Sequence, residues 1–160
     1  MKNIPYNRTK ALAYAEKWAL KRNPRYLNFS GMGGDCTNFV SQCVYAGCGV
    51  MNYTPDTGWY YINADRRAPA WTGVNFFYNF MTTNKGAGPY AELVSKDRLL
   101  PGDVLQLGSN AGGFYHNLVV VAIDEDEIYL AAHTNDAYMR PLSSYFYEKI
   151  RFLHIIGARK

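Results

Sequence analysis

A chain of 160 residues with 48% hydrophobic and 19% charged residues has the size and balance of one globular domain, residues 1–160, with a full core. Seventeen Lys and Arg against 13 Asp and Glu leave a mildly basic net charge of +4, and no basic run exceeds a pair such as Arg66-Arg67, so a nucleic-acid partner is not expected. Three cysteines, Cys36, Cys43 and Cys48, form neither a CxxC nor a Cys/His cluster, which argues against a disulfide scaffold, a structural zinc site or any other metal or cofactor.

Residues 1–8 lack the apolar core of a signal peptide, and no apolar run approaches the ~20 residues that cross a bilayer. The expectation is a monomer without a membrane partner, cytoplasmic as synthesised or released by lysis or a holin-type route. The spacing predicts a helix over 7–22, capped by Asn7 or Thr9, with Leu12, Ala15 and Ala19 as its apolar stripe and Asn23-Pro24 as its stop. A loop closing on Gly31, Gly33 and Gly34 leads to a second helix from Cys36. Phe39, Val40, Cys43 and Val44 form the apolar face of that helix, and Gly47 supplies its stop. Residues 49–73 form a long loop packed by aromatics, and 73–84 suit a short helix broken by Gly86 and Gly88-Pro89. From Leu99 the pattern becomes strands: Val104–Leu107, His116–Ile123, Ile128–His133, Ser143–Tyr147 and Ile150–Ile156. Helices first and an antiparallel meander after is an α+β layout.

Cys36 stands in the first turn of its helix, where the helix dipole favours a thiolate. A nucleophilic cysteine needs a base within reach and a group to orient that base. His116 opens a strand after a glycine-rich loop, and His133 ends the neighbouring strand. The pattern supports Cys36 as nucleophile, His116 as proton acceptor and His133 as the group that holds the His116 ring, with Asn135 and Asp136 as substitutes in the third role. The Cys36 backbone N–H is the natural oxyanion donor. His154, in a terminal strand, reads as structural. Asp35 reads as a helix cap or as a substrate contact beside the nucleophile. Trp59, Tyr60, Tyr61 and Trp71 line a substrate groove or pack the long loop.

Several separated stretches carry a resemblance that runs through nearly the whole chain: Tyr6-Asn7-Arg8 with Ala13-Tyr14-Ala15 and Trp18; Asn23-Pro24 with Tyr26 and Phe29; Gly34-Asp35-Cys36-Thr37-Asn38-Phe39-Val40-Ser41-Gln42; Trp59-Tyr60-Tyr61 and Trp71-Thr72; Gly102-Asp103-Val104-Leu105-Gln106; His116; and Ala132-His133-Thr134-Asn135-Asp136. In this order they resemble the bacterial putative amidase domain family, a relative of the NlpC-type and CHAP cysteine peptidases in the papain-like group. The resemblance implies a papain-like α+β fold, N-terminal helices packed on an antiparallel sheet, and amide hydrolysis by a thiolate. It implies Cys36 as nucleophile, His116 as base and His133 in the place of the polar residue on the next strand. Tyr26 falls in the place of a tyrosine that helps form the NlpC-type substrate site. The hairpin between the two histidines is longer than is usual in those relatives. The substrate class implied is a peptide of the cell wall (peptidoglycan), with action at the wall. Two further classes share the fold: a wall- or peptide-binding module without catalysis, and an acyl transferase working through a thioester.

Overall fold

A computed structural model describes residues 1–160, and its elements follow local chemistry closely where the signals are strong. The first helix, α1 (Arg8–Trp18), is capped by Asn7, whose side chain accepts from the Lys10 N–H at 3.0 Å. It ends four residues short of the expected stop. Its buried stripe is Ala11, Ala15 and Ala19, with Leu12 only partly covered. Three alanines at a spacing of four let α1 lie close on α2 (Cys36–Cys48), which is the central helix of the fold. The expected stop at Gly47 lies inside α2 instead. A Cβ there would collide with the Tyr6 ring, and the Gly47 carbonyl accepts from Asn7 N–H at 2.8 Å, so this glycine lets the chain entering α1 cross α2. The helix stops two residues later, on Gly49, at φ 69°.

The stretch 49–73 is more structured than a bare loop. It contains the small pair β2 (Tyr61–Asn63) and β3 (Arg66–Arg67), then the single turn α3 (Pro69–Thr72), which leads into α4 (Val74–Thr83). A two-residue strand, β1 (Asn3–Ile4), precedes them all.

The main sheet is antiparallel and built from β4 (Gly88–Val94), β5 (Val104–Ser109), β6 (Gly113–Asp124), β7 (Glu127–Ala132), β8 (Ala137–Pro141) and β9 (Lys149–Arg159), with β1 at its margin. The path runs β1-β9-β5-β6-β7-β8, with β4 along the other edge of β9. Strand β4 begins in Gly88-Pro89, which alone reads as a breaker. It pairs only with β9, and on an edge a proline's missing N–H costs little. The expected strand Ser143–Tyr147 does not form. The return strand is β8, paired to β7, and Leu142–Ser144 is a single 3₁₀ turn after Pro141.

Helices α1, α2 and α4 cover one face of the sheet over the larger core, which includes Phe39, Val40, Cys43, Trp59, Trp71, Val104, Val119 and Leu153. The opposite face carries a smaller core of Leu105, Leu107, Leu118, Val120 and Leu130 under the 142–152 segment. The layout is the expected α+β one. No helix is long and apolar enough to cross a membrane.

Candidate active site

The residues before α2 set the site. Gly33 and Gly34 sit at φ 96° and 103°, a region costly for any side chain, and they reverse the chain into Asp35. Cys36 is then the first helical residue. Its backbone N–H has no carbonyl four residues back to bond, so it stays free at the positive end of the helix.

Cys36 lines a cleft of about 230 Å³ together with Gly33 and Gly34, Tyr115 and His116, and Thr134 and Asn135. Three chain segments far apart in sequence thus meet: the glycine loop, the head of β6 and the turn after β7. Pairing between β6 and β7 starts only at Val119 with Ala131, so the head of β6 has a vacant edge on that side. Val120 bonds toward the β5 side through Gly102 and Asp103. Alternation therefore turns the Asn117 N–H to the vacant edge, where the Cys36 sulfur lies. Burial pushes the Cys36 thiol above its ordinary value. The Asn117 N–H and the hydroxyl and N–H of Thr37 pull the other way without overcoming it.

His116 shares its strand alternation with Leu118 and Val120 of the smaller core, and its ring lies 6.1 Å from that of Tyr145. Burial, with the positive charge of Arg140 nearby, lowers it to about 4. The ring is therefore a neutral imidazole at pH 7. It makes no hydrogen bond within the protein, and none joins it to the Cys36 sulfur. The linkage sign follows from this. Between pH 6.5 and about 4 the unfolded chain binds a proton that the folded chain refuses, so stability is whole above 6.5 and drains as pH falls toward 4. The shift corresponds to roughly 3 kcal/mol, at 1.36 kcal/mol per pH unit. Urea unfolding at pH 7.0 and 4.5 is expected to show this loss in the wild type and much less of it in His116→Gln. An equal loss in both would place the acid sensitivity elsewhere.

His133 takes a different place from the one expected. Its ring is buried, stacked on Phe39 at 4.1 Å, and both nitrogens are occupied. Nδ1–H donates to Asp35 Oδ2 at 2.6 Å and Nε2–H to the Trp18 carbonyl at 2.9 Å. It cannot also hold His116, because β7 ends before the two histidines come level. Among the substitutes, Asp136 is committed to Arg22 at 2.6 and 3.0 Å, while Asn135 lines the cleft.

Asp35 is neither a side-chain cap nor open to a substrate. It is fully buried and makes no cap bond. Its carboxylate accepts from the Phe29 N–H (2.8 Å), Asn38 Nδ2 (2.9 Å) and His133, with Arg22 Nε at 3.3 Å. Burial alone would push its carboxyl up. The bonds from His133, Phe29 and Asn38 outweigh that and hold it below the usual range. The carboxylate thus ties together the loop before Cys36, the end of α1 and the turn after β7.

Tyr26 and Trp59 are also corrected. Trp59 is wholly enclosed. Its indole N–H donates to Ser41 Oγ at 3.0 Å, and its ring packs on Trp71 at 4.7 Å. Trp71 in turn donates to Asn38 Oδ1 at 3.0 Å. The two indoles therefore satisfy polar side chains of α2 and clamp the helix from its far side. Tyr26 is buried among Tyr61 (5.0 Å) and Trp71 (6.0 Å) and does not line the cleft. Packing of the long loop, the second reading of these aromatics, is the one realised. His154 bonds Asp103 at 2.9 Å, as a structural histidine would. The cleft residues that sequence reasoning passed over are Tyr115 and Thr134. Thr134 Oγ1 accepts from the Asp35 N–H at 3.3 Å, and Thr134 and Asn135 both adopt positive φ, 68° and 55°. For threonine that backbone is strained, and such strain gathers at functional turns. Position beside His116 and His133 was the one available signal for either residue. No group of three or more His, Cys, Asp or Glu is arranged to hold a metal ion.

Cys36 at a helix start and His116 on a strand thus border one cleft in an α+β frame. The comparisons give the family: the chain belongs to the putative amidase domain family, whose model matches residues 5–156. That membership supports amide hydrolysis as the class of reaction. An uncharacterized protein of Bacillus subtilis (strain 168), YhbB, is 36% identical over 139 residues, which is 84% of this chain and 43% of that protein. The chain thus spans less than half the length of this relative. No solved structure matches it.

Proposed function

We propose that the chain hydrolyses amide bonds through Cys36, with His116 as the proton acceptor and later donor, and that its substrates are peptides of the peptidoglycan type. The observation that carries this reading is the shared cleft: Cys36 and His116 both border it, and the Cys36 N–H is unbonded at the helix start. The thiol proton passes to the neutral imidazole as sulfur attacks the amide carbon. The carbonyl oxygen, gaining negative charge, is received by the Cys36 N–H at the helix start. The imidazolium returns its proton to the leaving amine, and water hydrolyses the thioester. On a papain-like reading of this pair, one feature sets it apart. A raised thiol and a lowered histidine make the resting pair neutral rather than a thiolate–imidazolium pair.

The pH profile follows from those two directions. The reaction needs one proton on the pair, so kcat/KM is expected to rise through an acid limb near pH 4 and to hold until an alkaline limb above pH 9. An acid limb near 6.5 would mean an unperturbed histidine and a different base. The direct test of substrate is mass spectrometry of muropeptides after incubation with the wild type and with Cys36→Ala. New products are expected with the wild type alone, and their masses name the bond cut. Identical spectra for the two would sink the peptidoglycan reading.

A second reading, a peptide-binding module without catalysis, draws on the missing Cys36–His116 hydrogen bond. Iodoacetamide separates the two. An active site is expected to label at Cys36 ahead of Cys43 and Cys48, since Cys36 alone among them borders the cleft. A Cys36 labelled no faster than the other two would favour the binding module.

A further inference from the structure

A second concavity, of about 790 Å³, shares no residue with the Cys36 cleft. Its walls are the loop 52–57, the start of α3, and the outer face of α4 with the turn that follows to Gly86. Nothing in the proposed chemistry uses it.

Its frame is held firmly. Asn52 exchanges backbone bonds with Trp59 at 2.9 and 2.8 Å, and its Nδ2 donates to the Ala87 carbonyl at 3.0 Å. Asn84 Nδ2 donates to the Ala87 and Pro89 carbonyls, both at 2.9 Å. The loop and the turn after α4 are thus laced to each other. Three polar side chains of the lining, by contrast, are unengaged. The side chains of Asp56, Thr57 and Asn79 are exposed, and none of them takes part in a hydrogen bond within the protein. Phe76, Asn79 and Thr83 lie on one face of α4 by their spacing of three and four. The Phe76 ring is 60% exposed there. A smaller hollow of about 380 Å³ shares Pro69 and Phe76 and runs on to Arg67, so the exposed ring stands between two depressions.

The lining says what fits. Asp56 and Lys85, opposite in sign, are the ionisable groups of the larger hollow. A nucleic acid would require a cationic wall, and an amphipathic helix an apolar stripe. One free amide, hydroxyls and one carboxylate around an exposed aromatic ring suit a ligand with many hydroxyls and a flat C–H face. Two hollows on either side of the ring suit a chain of such units rather than one. We infer that this groove binds a neutral oligosaccharide, with Phe76 as the stacking platform and Asp56 and Asn79 as hydroxyl partners.

The full chain titrated calorimetrically with two neutral probes, N-acetylchitotetraose and cellotetraose, tests this. At least one is expected to bind with a Kd of about 1 mM or tighter. Phe76→Ala is expected to weaken that binding roughly tenfold, about 1.4 kcal/mol. Asn79→Ala is expected to weaken it too, and Cys36→Ala to leave it unchanged. Both substituted side chains on α4 are exposed, and thermal unfolding of each variant verifies that the fold is kept. Amide shifts of the wild type on adding the bound probe are expected at Phe76, Asn79 and Thr83. Silence with both probes, binding indifferent to Phe76→Ala, or shifts confined to the Cys36 cleft would each overturn the assignment. Because Cys36→Ala is one arm, failure here leaves the hydrolase reading standing, and loss of hydrolysis leaves this one standing.

Discussion

Replacing Cys36 by alanine is expected to lower amide hydrolysis by on the order of 10⁴-fold or more, and replacing His116 by alanine to do nearly the same. The two act as one unit: the sulfur is a poor nucleophile while it keeps its proton, and the neutral imidazole is useful only as the place that proton goes. The double variant is therefore expected to be little worse than either single one, because what remains is binding and the Cys36 N–H. Single-turnover kinetics on a muropeptide that the mass-spectrometric test shows to be cut would measure this. Both variants should fold. The cleft they border is solvent-facing, and Cys36→Ala removes only a sulfur from the helix start. If His116→Ala kept most of the rate, the base would have to be sought elsewhere.

The second large effect is on stability. Asp35→Asn is expected to cost about 3–5 kcal/mol, because removing one partner leaves the other groups of a buried charged cluster without compensation. The carboxylate receives His133, Asn38 and the Phe29 N–H and lies beside Arg22, and an amide cannot accept from all of them. The midpoint of thermal unfolding should fall by on the order of 10 °C for a domain of this size. His133→Ala should fall less far, since it removes only one of the four partners. The pH sign agrees. Asp35 is held below its ordinary 3.8, so its contribution is present above that value and is lost as pH falls through the lowered one. A loss under about 1 kcal/mol for Asp35→Asn would show that water or a shifted side chain takes over the carboxylate's bonds. Since Asp35 directly precedes Cys36, hydrolysis should also weaken in the variant at temperatures where it is still folded. The readout for positioning, as distinct from folding, is a drop in kcat with KM little changed.

The helix start at Cys36, the α+β order and the strand that carries His116 were legible because each rests on short-range chemistry, although β6 opens three residues before the histidine, at Gly113. A glycine pair reverses the chain, an apolar period of three to four residues marks a helix, and a Val/Ile run marks a strand. Family membership of residues 5–156 agrees with the resemblance those stretches carry. What was not legible has one common cause. Asp35 looked like a cap and His133 like a partner for His116, since each was judged against its sequence neighbours. In the folded chain they are 98 residues apart and bonded to each other. Trp59 looked like a groove residue because aromatics in a long loop offer no clue to the polar atom that will receive their N–H. That atom is Ser41 Oγ, on the buried side of α2.

By itself, then, the sequence determined the local pieces: a cysteine at a helix N-terminus, a histidine in the first, turn-facing stretch of a strand, and helices preceding an antiparallel meander. Backbone preference and hydrophobic period act over a few residues, and those residues are adjacent in the chain. The tertiary structure decided the pairing of buried charges and the packing of the indoles, and it brought Gly34, Cys36, His116 and Thr134 to one cleft. A buried polar group takes whichever partner the packed chain brings within about 3 Å, and that choice is made only when distant segments close on one another. Cys36 stands where local chemistry put it. The carboxylate, the histidine and the two tryptophans that hold its helix in place are products of the fold.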